Sequence, residues 1–191
     1  MIFETIVITQ DAAGKPHIAP FGIKYDADLV IISPYKPSVT LDNILTTKTA
    51  TLNITDDVCI FAGALTEHIK DVALQASINA GYRLAHALSH SELALIEVKH
   101  DAIRPQLMMQ KIVSEDHAPF LGFNRAQAAV LELCILVSRL DRLPRDKVES
   151  ELAYLQIGID KTAGERELQA WGWLQQKIKH FYASQNQWRS C

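Results

Sequence analysis

Cysteine is scarce in this chain. Cys59, Cys134 and Cys191 are odd in number, far apart and outside any C-x-x-C spacing. That excludes a disulfide framework and a thiolate metal site, and it reads as reduced thiols in a cytoplasmic protein. No apolar run reaches the roughly 18 residues of a membrane span. The opening MIFETIVITQ lacks a basic stretch ahead of an apolar one, so it does not read as a signal peptide. Neither sign of charge dominates: 19 Lys and Arg stand against 22 Asp and Glu. No basic run and no basic–aromatic interleaving offers a nucleic-acid footprint. A G-x-G-x-x-G loop for a stable nicotinamide site is missing. Ser77, Ser89 and Ser91 lack the G-x-S-x-G context of a hydrolase nucleophile. His68, His86, His90, His100, His117 and His180 show no H-E-x-x-H spacing. His86 and His90 are four residues apart and would share a face of a helix, but no third ligand accompanies them. No metal is therefore expected.

Apolar residues are plentiful, at 48% of 191 residues. That is ample for one domain, or for a domain with a modest appendage, and it argues against disorder. Up to about residue 117 the pattern is dominated by strands. FETIVITQ (3–10) and PHIAPFGIKY (16–25) flank a short turn at 11–15. Pro20 and Gly22 predict a bend, an edge or the close approach of a ligand in the second strand. Leu29–Ser33 and Thr49–Ile54 read as further strands, and 93–100 with 107–116 as a long hairpin turning at Arg104-Pro105. At least six strands in short-loop order predict an antiparallel barrel. Residues 57–90 have mixed periodicity and read as a strand end followed by broken helix.

After Pro119 the period changes. Phe123, Ala126, Val130, Leu133, Val137 and Leu140 recur at helical spacing, and Pro144 is expected to stop the helix. Asp146 with Glu149 looks like a capping pair for a second helix. Thr162-Ala163-Gly164-Glu165 looks like a capping box for a third, with Leu168, Trp171, Leu174, Ile178 and Phe181 in line. The last ten residues are expected to fray. The expected domains are thus 1–119 for the barrel and 120–191 for a C-terminal three-helix segment.

The richest chemistry lies in SPYKPSVTLDNILTTKTATLN (33–53). Ser38, Thr40 and Asn43, with Lys36 and Lys48 on either side, lie between two strands. A short helix beginning near Ser38 would add free N–H groups and the positive end of its dipole, which together suit a phosphorylated cofactor. The competing reading is a capped surface helix with no ligand. Glu132 and Glu165 are explained by solvent exposure and capping, and Cys134 by an apolar core.

The order HIAPFGI, SPYKPSVTLDNI, TATLNI resembles the FMN-binding split-barrel superfamily of flavin-reductase-like proteins. Thr40-Leu41-Asp42-Asn43 matches its T-x-x-N segment, and Leu52-Asn53-Ile54 its Asn-containing strand. The opening ETIVIT with PHIAPFG, and Phe123-Asn124-Arg125-Ala126 leading an apolar helix, is similar to uncharacterised prokaryotic flavoproteins with a C-terminal helical segment. The resemblance implies a mainly β fold with α: an FMN-binding split β-barrel, antiparallel and Greek-key-like. It implies FMN as cofactor, held near the interface of a homodimer. Ser38, Thr40 and Asn43 would then support the phosphate. His17, Pro20, Phe21 and Gly22 would pass close to the flavin ring, Asn53 would bond its carbonyls, and Arg125 would reach the phosphate or a substrate anion. A bulged edge strand, a strand-end amide and a surface charge are the structural alternatives for these residues. The expected function is an FMN-dependent oxidoreductase acting on an unknown small molecule, with NAD(P)H as a transient reductant. The alternative is a non-catalytic flavin-binding or protein-interaction dimer.

Overall fold

The computed structural model describes residues 1–188, and the side chains of all of these but 71 and 186–188. Cys191 lies outside the described residues. The chain divides into two compact units. One takes Met1–Asp56 and Val72–Phe120; the other takes Asp57–Asp71 and the chain from Leu121 on.

The first unit contains strands β1 (Phe3–Gln10), β2 (Pro16–Asp26), β3 (Leu29–Ile32), β4 (Thr49–Ile54), β5 (Leu74–Ala76), β6 (Tyr82–Leu84), β7 (Ser89–Lys99) and β8 (Gln106–Asp116). Helix α1 (Val39–Thr47) joins β3 to β4. Six of the strands close a barrel in the order β1-β2-β3-β8-β7-β4, with β4 returning to pair with β1. β4 therefore lies beside β1 rather than β3, which is the Greek-key arrangement of the first four strands. Closure leaves no long unpaired edge.

The turns follow from local chemistry. At the β1–β2 turn Asp11 Oδ1 accepts from Ala13 N and Lys15 N at 2.9 Å each, and Gly14 takes φ +81°. Pro20 is tolerated because β2 pairs with β3 only at Lys24–Asp26, so near Pro20 the strand is paired with β1 alone.

The barrel interior is one apolar cluster that includes Val7, Ile23, Val30, Leu52, Leu93 and Leu107. Leu41 and Ile44 of α1 belong to the same cluster, at 4% and 0% exposed. Burying two such side chains stabilises the docked helix by about 3–6 kcal/mol. The polar residues of α1 are thereby held in fixed positions at the barrel.

The second unit comprises α2 (Val58–Thr66), a single 3-10 turn (Ile69–Asp71), α3 (Arg125–Val137), α4 (Arg145–Thr162) and α5 (Glu165–Trp188). Helix α2 packs on α3 and α5, and α3 packs on α4 and α5. The division of the chain thus differs from a cut near residue 119. A segment from the middle of the sequence joins the helices because its nearly all-apolar α2 needs cover on several sides.

Other expectations shift too. α3 ends at Val137, well before Pro144, and Phe123 lies outside it, fully exposed. Pro144 instead precedes α4 and supplies no side-chain cap, and the expected Asp146–Glu149 capping pair does not form. Glu149 is drawn to Arg145, at 2.7 Å. Thr162 is the last residue of α4, so no capping box forms there. Its hydroxyl donates to Gly158 O at 2.9 Å and accepts from Ala126 N at 3.0 Å, while the cap of α5 is Gly164 N donating to Glu167 Oε2. α5 continues to Trp188, further than a frayed terminus allows, although Leu168 on its expected inner face is 54% exposed.

Between residues 57 and 90 the chain forms α2 and the β5–β6 hairpin in place of a strand end and broken helix. Strands of three residues each are too short to carry a period. Among the described residues no helix is long and apolar enough to cross a membrane.

Candidate functional site

The α1 N-terminus is built as the sequence suggested. Ser38 is the N-cap, with extended backbone, and its Oγ accepts from Leu41 N at 3.2 Å. The Ser38 carbonyl accepts from Asp42 N. The amides of Val39 and Thr40 are the two first-turn N–H groups that these bonds leave over. Thr40 is 1% exposed; the buried side-chain oxygens left without a partner among the described residues are those of Thr51, Ser77 and Tyr182.

Asn43 stands one turn further along. It is 6% exposed, and its Nδ2 donates to Thr9 Oγ1 at 3.0 Å. This bond ties α1 to β1, so the two polar residues of the T-x-x-N segment have separate duties.

Cations and a loop border the helix. Arg104, between β7 and β8, donates from Nε to Ser33 O at 3.1 Å and lies 4.6 Å over the Tyr35 ring. Lys36 donates from Nζ to Asp101 O at 2.9 Å, and its backbone N–H to Ile103 O. The Asp101 carboxyl is held below the usual carboxylate range by the backbone N–H groups of Arg104 and Ile103. Segments 33–36 and 101–104 are thus stitched together beside the α1 N-terminus, and two positive side chains come with them. Sequence reasoning placed Arg104 at a turn and assigned it nothing; only the β3–β8 pairing brings it here. Lys48 caps the other end of α1 and donates to Leu45 O, so it is no part of this N-terminal cluster.

The second-strand residues are placed on β2. His17 pairs opposite Thr9, Pro20 opposite Ile6 and Gly22 opposite Glu4. Burial pushes the His17 imidazole below its ordinary pKa. What comes close to Gly22 is the chain itself: a Cβ there would lie 2.8 Å from Ile2 Cγ2 and 3.3 Å from Glu4 Oε1.

Asn53 is fully buried. Its Nδ2 donates to Ile6 O at 3.4 Å and Thr51 O at 3.2 Å, and its Oδ1 accepts from Leu84 N at 2.9 Å. The amide is committed to β1, β4 and β6, which is the strand-end reading and not the ring-bonding one. Arg125 belongs to the helical unit. It is exposed in the first turn of α3, beside an open groove of about 240 Å³ that Ala129, Tyr154 and Gly158 also line.

A second polar cluster lies on the β7–β8 ladder. Glu92 is fully buried, and its two oxygens accept from Ile78 N at 2.7 Å and Asn79 N at 2.6 Å. Glu92 and Asn53 are the two side chains that anchor the β5–β6 hairpin. His90 Nδ1 lies 2.8 Å from His117 Nε2. Burial first, then the charges of His117 and Arg83, hold the His90 pKa below its ordinary value. His86 and His90 do not share a helix: His86 is in a turn and His90 on β7.

Solved structures share this architecture. The NADH:FAD oxidoreductase SgcE6 of Streptomyces globisporus matches at TM-score 0.52 and 14% identity, over 60% of this chain and 75% of its own. The 2-nitrobenzoate 2-nitroreductase NbaA of Pseudomonas fluorescens matches at 0.53 and 17%, over 60% and 64%. The barrel with its docked α1 is thus the split barrel of flavin-reductase-like proteins. The FMN-bound protein MM1853 of Methanosarcina mazei matches at 0.78 and 18%, and extends the likeness to 92% of this chain and 94% of its own. The sequence itself matches the family described as protein of unknown function DUF447, with its N-terminal domain over residues 3–118 and its following region over 124–176. The chain belongs to this DUF447 family. No curated protein matches it.

Proposed function

We propose that this chain is a flavoprotein that holds FMN at the α1 end of its barrel and acts as an oxidoreductase on a small molecule. The observation that carries the reading is the α1 N-terminus docked on the barrel, where the Ser38 cap and the nearly buried Thr40 stand beside the first-turn amides of Val39 and Thr40. Such a corner suits a phosphate. Ser38 and Thr40 would donate their hydroxyl protons to the phosphate oxygens, and Lys36 and Arg104 would balance its charge. Asn43 would act one step back by fixing α1 to β1. The FMN-bound DUF447 protein of Methanosarcina mazei supports this cofactor, and the NADH:FAD oxidoreductase SgcE6 supports a flavin in a barrel of this fold.

Bound flavin would supply hydride or electron chemistry, while the protein supplies orientation and an environment shielded from water. Among the described residues no nucleophile–base pair suggests covalent catalysis, and this chemistry requires none. NAD(P)H is the proposed transient reductant, and a homodimer the proposed assembly.

A second reading, a flavin-binding interaction protein, is favoured by the α3–α4 face, where Tyr154 is 72% and Ile157 45% exposed along the groove. The test is the absorbance spectrum of the purified protein after saturation with FMN and removal of the excess, followed by anaerobic NADH or NADPH. About one FMN per chain that bleaches on reduction is the expected result. Retained flavin that neither nucleotide reduces favours the second reading. No retained flavin refutes both.

A further inference from the structure

We propose that His90, Glu115 and His117 form a binding site for a divalent transition-metal ion of the zinc class. The inference is independent of the flavin reading.

The strand register builds the site. His90 on β7 lies directly opposite Glu115 on β8. His117 is two residues beyond Glu115, so it projects to the same face of the ladder. Its backbone is fixed there, because His117 N donates to Leu88 O at 2.7 Å. One potential ligand atom from each of the three side chains lies within 4.8 Å of the others.

The ring orientations fit the role. His90 is 3% exposed and cannot turn freely. Its Nε2 faces the buried Glu92 carboxylate at 3.9 Å, and its Nδ1 faces the cluster. Both Glu92 oxygens already accept backbone N–H groups, so Glu92 is not counted among the ligands, and at 3.9 Å it meets the ring as a nearby charge and not through a hydrogen bond.

The two imidazole nitrogens are 2.8 Å apart. At a metal–nitrogen distance of about 2.05 Å that separation corresponds to an angle near ~86°, and tetrahedral geometry needs about half an ångström more. His117 is exposed, one residue beyond the end of β8, and can supply the movement. Two imidazoles and one carboxylate are a zinc-type donor set, with a fourth position left for water. Three ligands with two nitrogens do not suit calcium or magnesium.

The experiment uses the full chain, stripped with chelator, titrated with Zn²⁺ by calorimetry and with Co²⁺ by absorbance. The expected result is one Zn²⁺ per chain. His117→Ala and Glu115→Gln should each weaken binding by more than about tenfold. His100→Ala, which changes an exposed histidine outside the cluster, should leave it unchanged. Co²⁺ should show d–d bands without a thiolate charge-transfer band, which separates this site from the cysteines. Both substituted ligands are exposed, so the variants should melt like the parent without metal, and Zn²⁺ should raise the melting temperature of the parent alone. No saturable Zn²⁺ binding, binding indifferent to both substitutions, or a thiolate band would each overturn the proposal. A lone imidazole–imidazole hydrogen bond would then be the reading.

Discussion

Thr40 and Asn43 are three residues apart on one short helix, yet they should respond oppositely to substitution. Thr40→Val replaces the hydroxyl of a nearly buried side chain with a methyl of the same shape. The structure gives this hydroxyl no hydrogen bond to break, so the flavin-free protein should keep its stability to within about 0.5 kcal/mol. The loss should appear in flavin binding. A hydrogen bond to a charged group contributes about 1.5–3 kcal/mol, which is roughly 10- to 150-fold in Kd for FMN. Asn43→Ala does the reverse. It strands Thr9 Oγ1, whose amide partner at 3.0 Å is removed inside a buried contact. The cost is about 1–3 kcal/mol of fold stability. With a urea slope near ~2 kcal/mol/M, the unfolding midpoint should fall by about 0.5–1.5 M. The assay pairs urea unfolding of flavin-free protein with quenching of FMN fluorescence at a urea-free condition where both variants are folded. If Thr40→Val bound FMN within twofold of the parent, or if folded Asn43→Ala lost more affinity than Thr40→Val, the division of labour along α1 would be wrong.

Glu92→Ala removes the acceptor of two backbone N–H groups in the β5–β6 turn, and should cost about 3 kcal/mol or more in chemical unfolding; a loss below about 1 kcal/mol would show that the hairpin does not depend on it. Burial holds the His17 pKa below its ordinary 6.5, so on acidification the folded chain takes up this proton later than the unfolded chain. The associated stability is complete above about pH 6.5 and is lost as the pH falls below it, and His17→Gln should flatten that part of the stability–pH curve. The Cys134 thiol is pushed up to about 12 by burial, so in a Cys59→Ser, Cys191→Ser background it should not react with a disulfide reagent at pH 8 until the protein is unfolded; rapid labelling of the native protein would contradict its buried position.

Much of the barrel was legible because its strands are long and its turns carry their own chemistry. The reading of β1 as 3–10 coincides with Phe3–Gln10, and Asp11 and Gly14 account for the turn that follows. Ser38 was legible as a cap because capping is a local act between a hydroxyl and an amide three residues on. The helix boundaries of the second unit were less so. Thr162 carries a good local capping pattern, but its hydroxyl is taken up by Ala126 N, a partner 36 residues away. Leu140 extends the apolar period past the end of α3 because it is buried by the turn that follows the helix, where periodicity has no meaning.

Side chains that pair across the barrel were the hardest to see. Asn53 carries two equally reasonable local readings, and only the position of Leu84 decides between them. That position depends on a hairpin whose strands are three residues long. Arg104 and Lys36 are separated by most of the barrel in sequence and converge because β3 pairs with β8. His90 and His117 fail every short-range metal spacing, since their proximity arises from strand register and not from helical repeat. Glu115 marks that register directly, as the residue opposite His90. The β7–β8 hairpin was itself readable, but its register carries bulges between Glu92 and Leu93 and between Leu95 and Glu97 that no local sequence signal announces. One bulge inserts Ile96 on β7 and the other inserts Ile112 on β8, so each shifts the pairing by one and the two shifts cancel. A count outward from Lys99 opposite Gln106 therefore still reaches His90 opposite Glu115, whereas allowing for one bulge alone would move His90 opposite Ser114, on the other face, and the three candidate ligands would come apart.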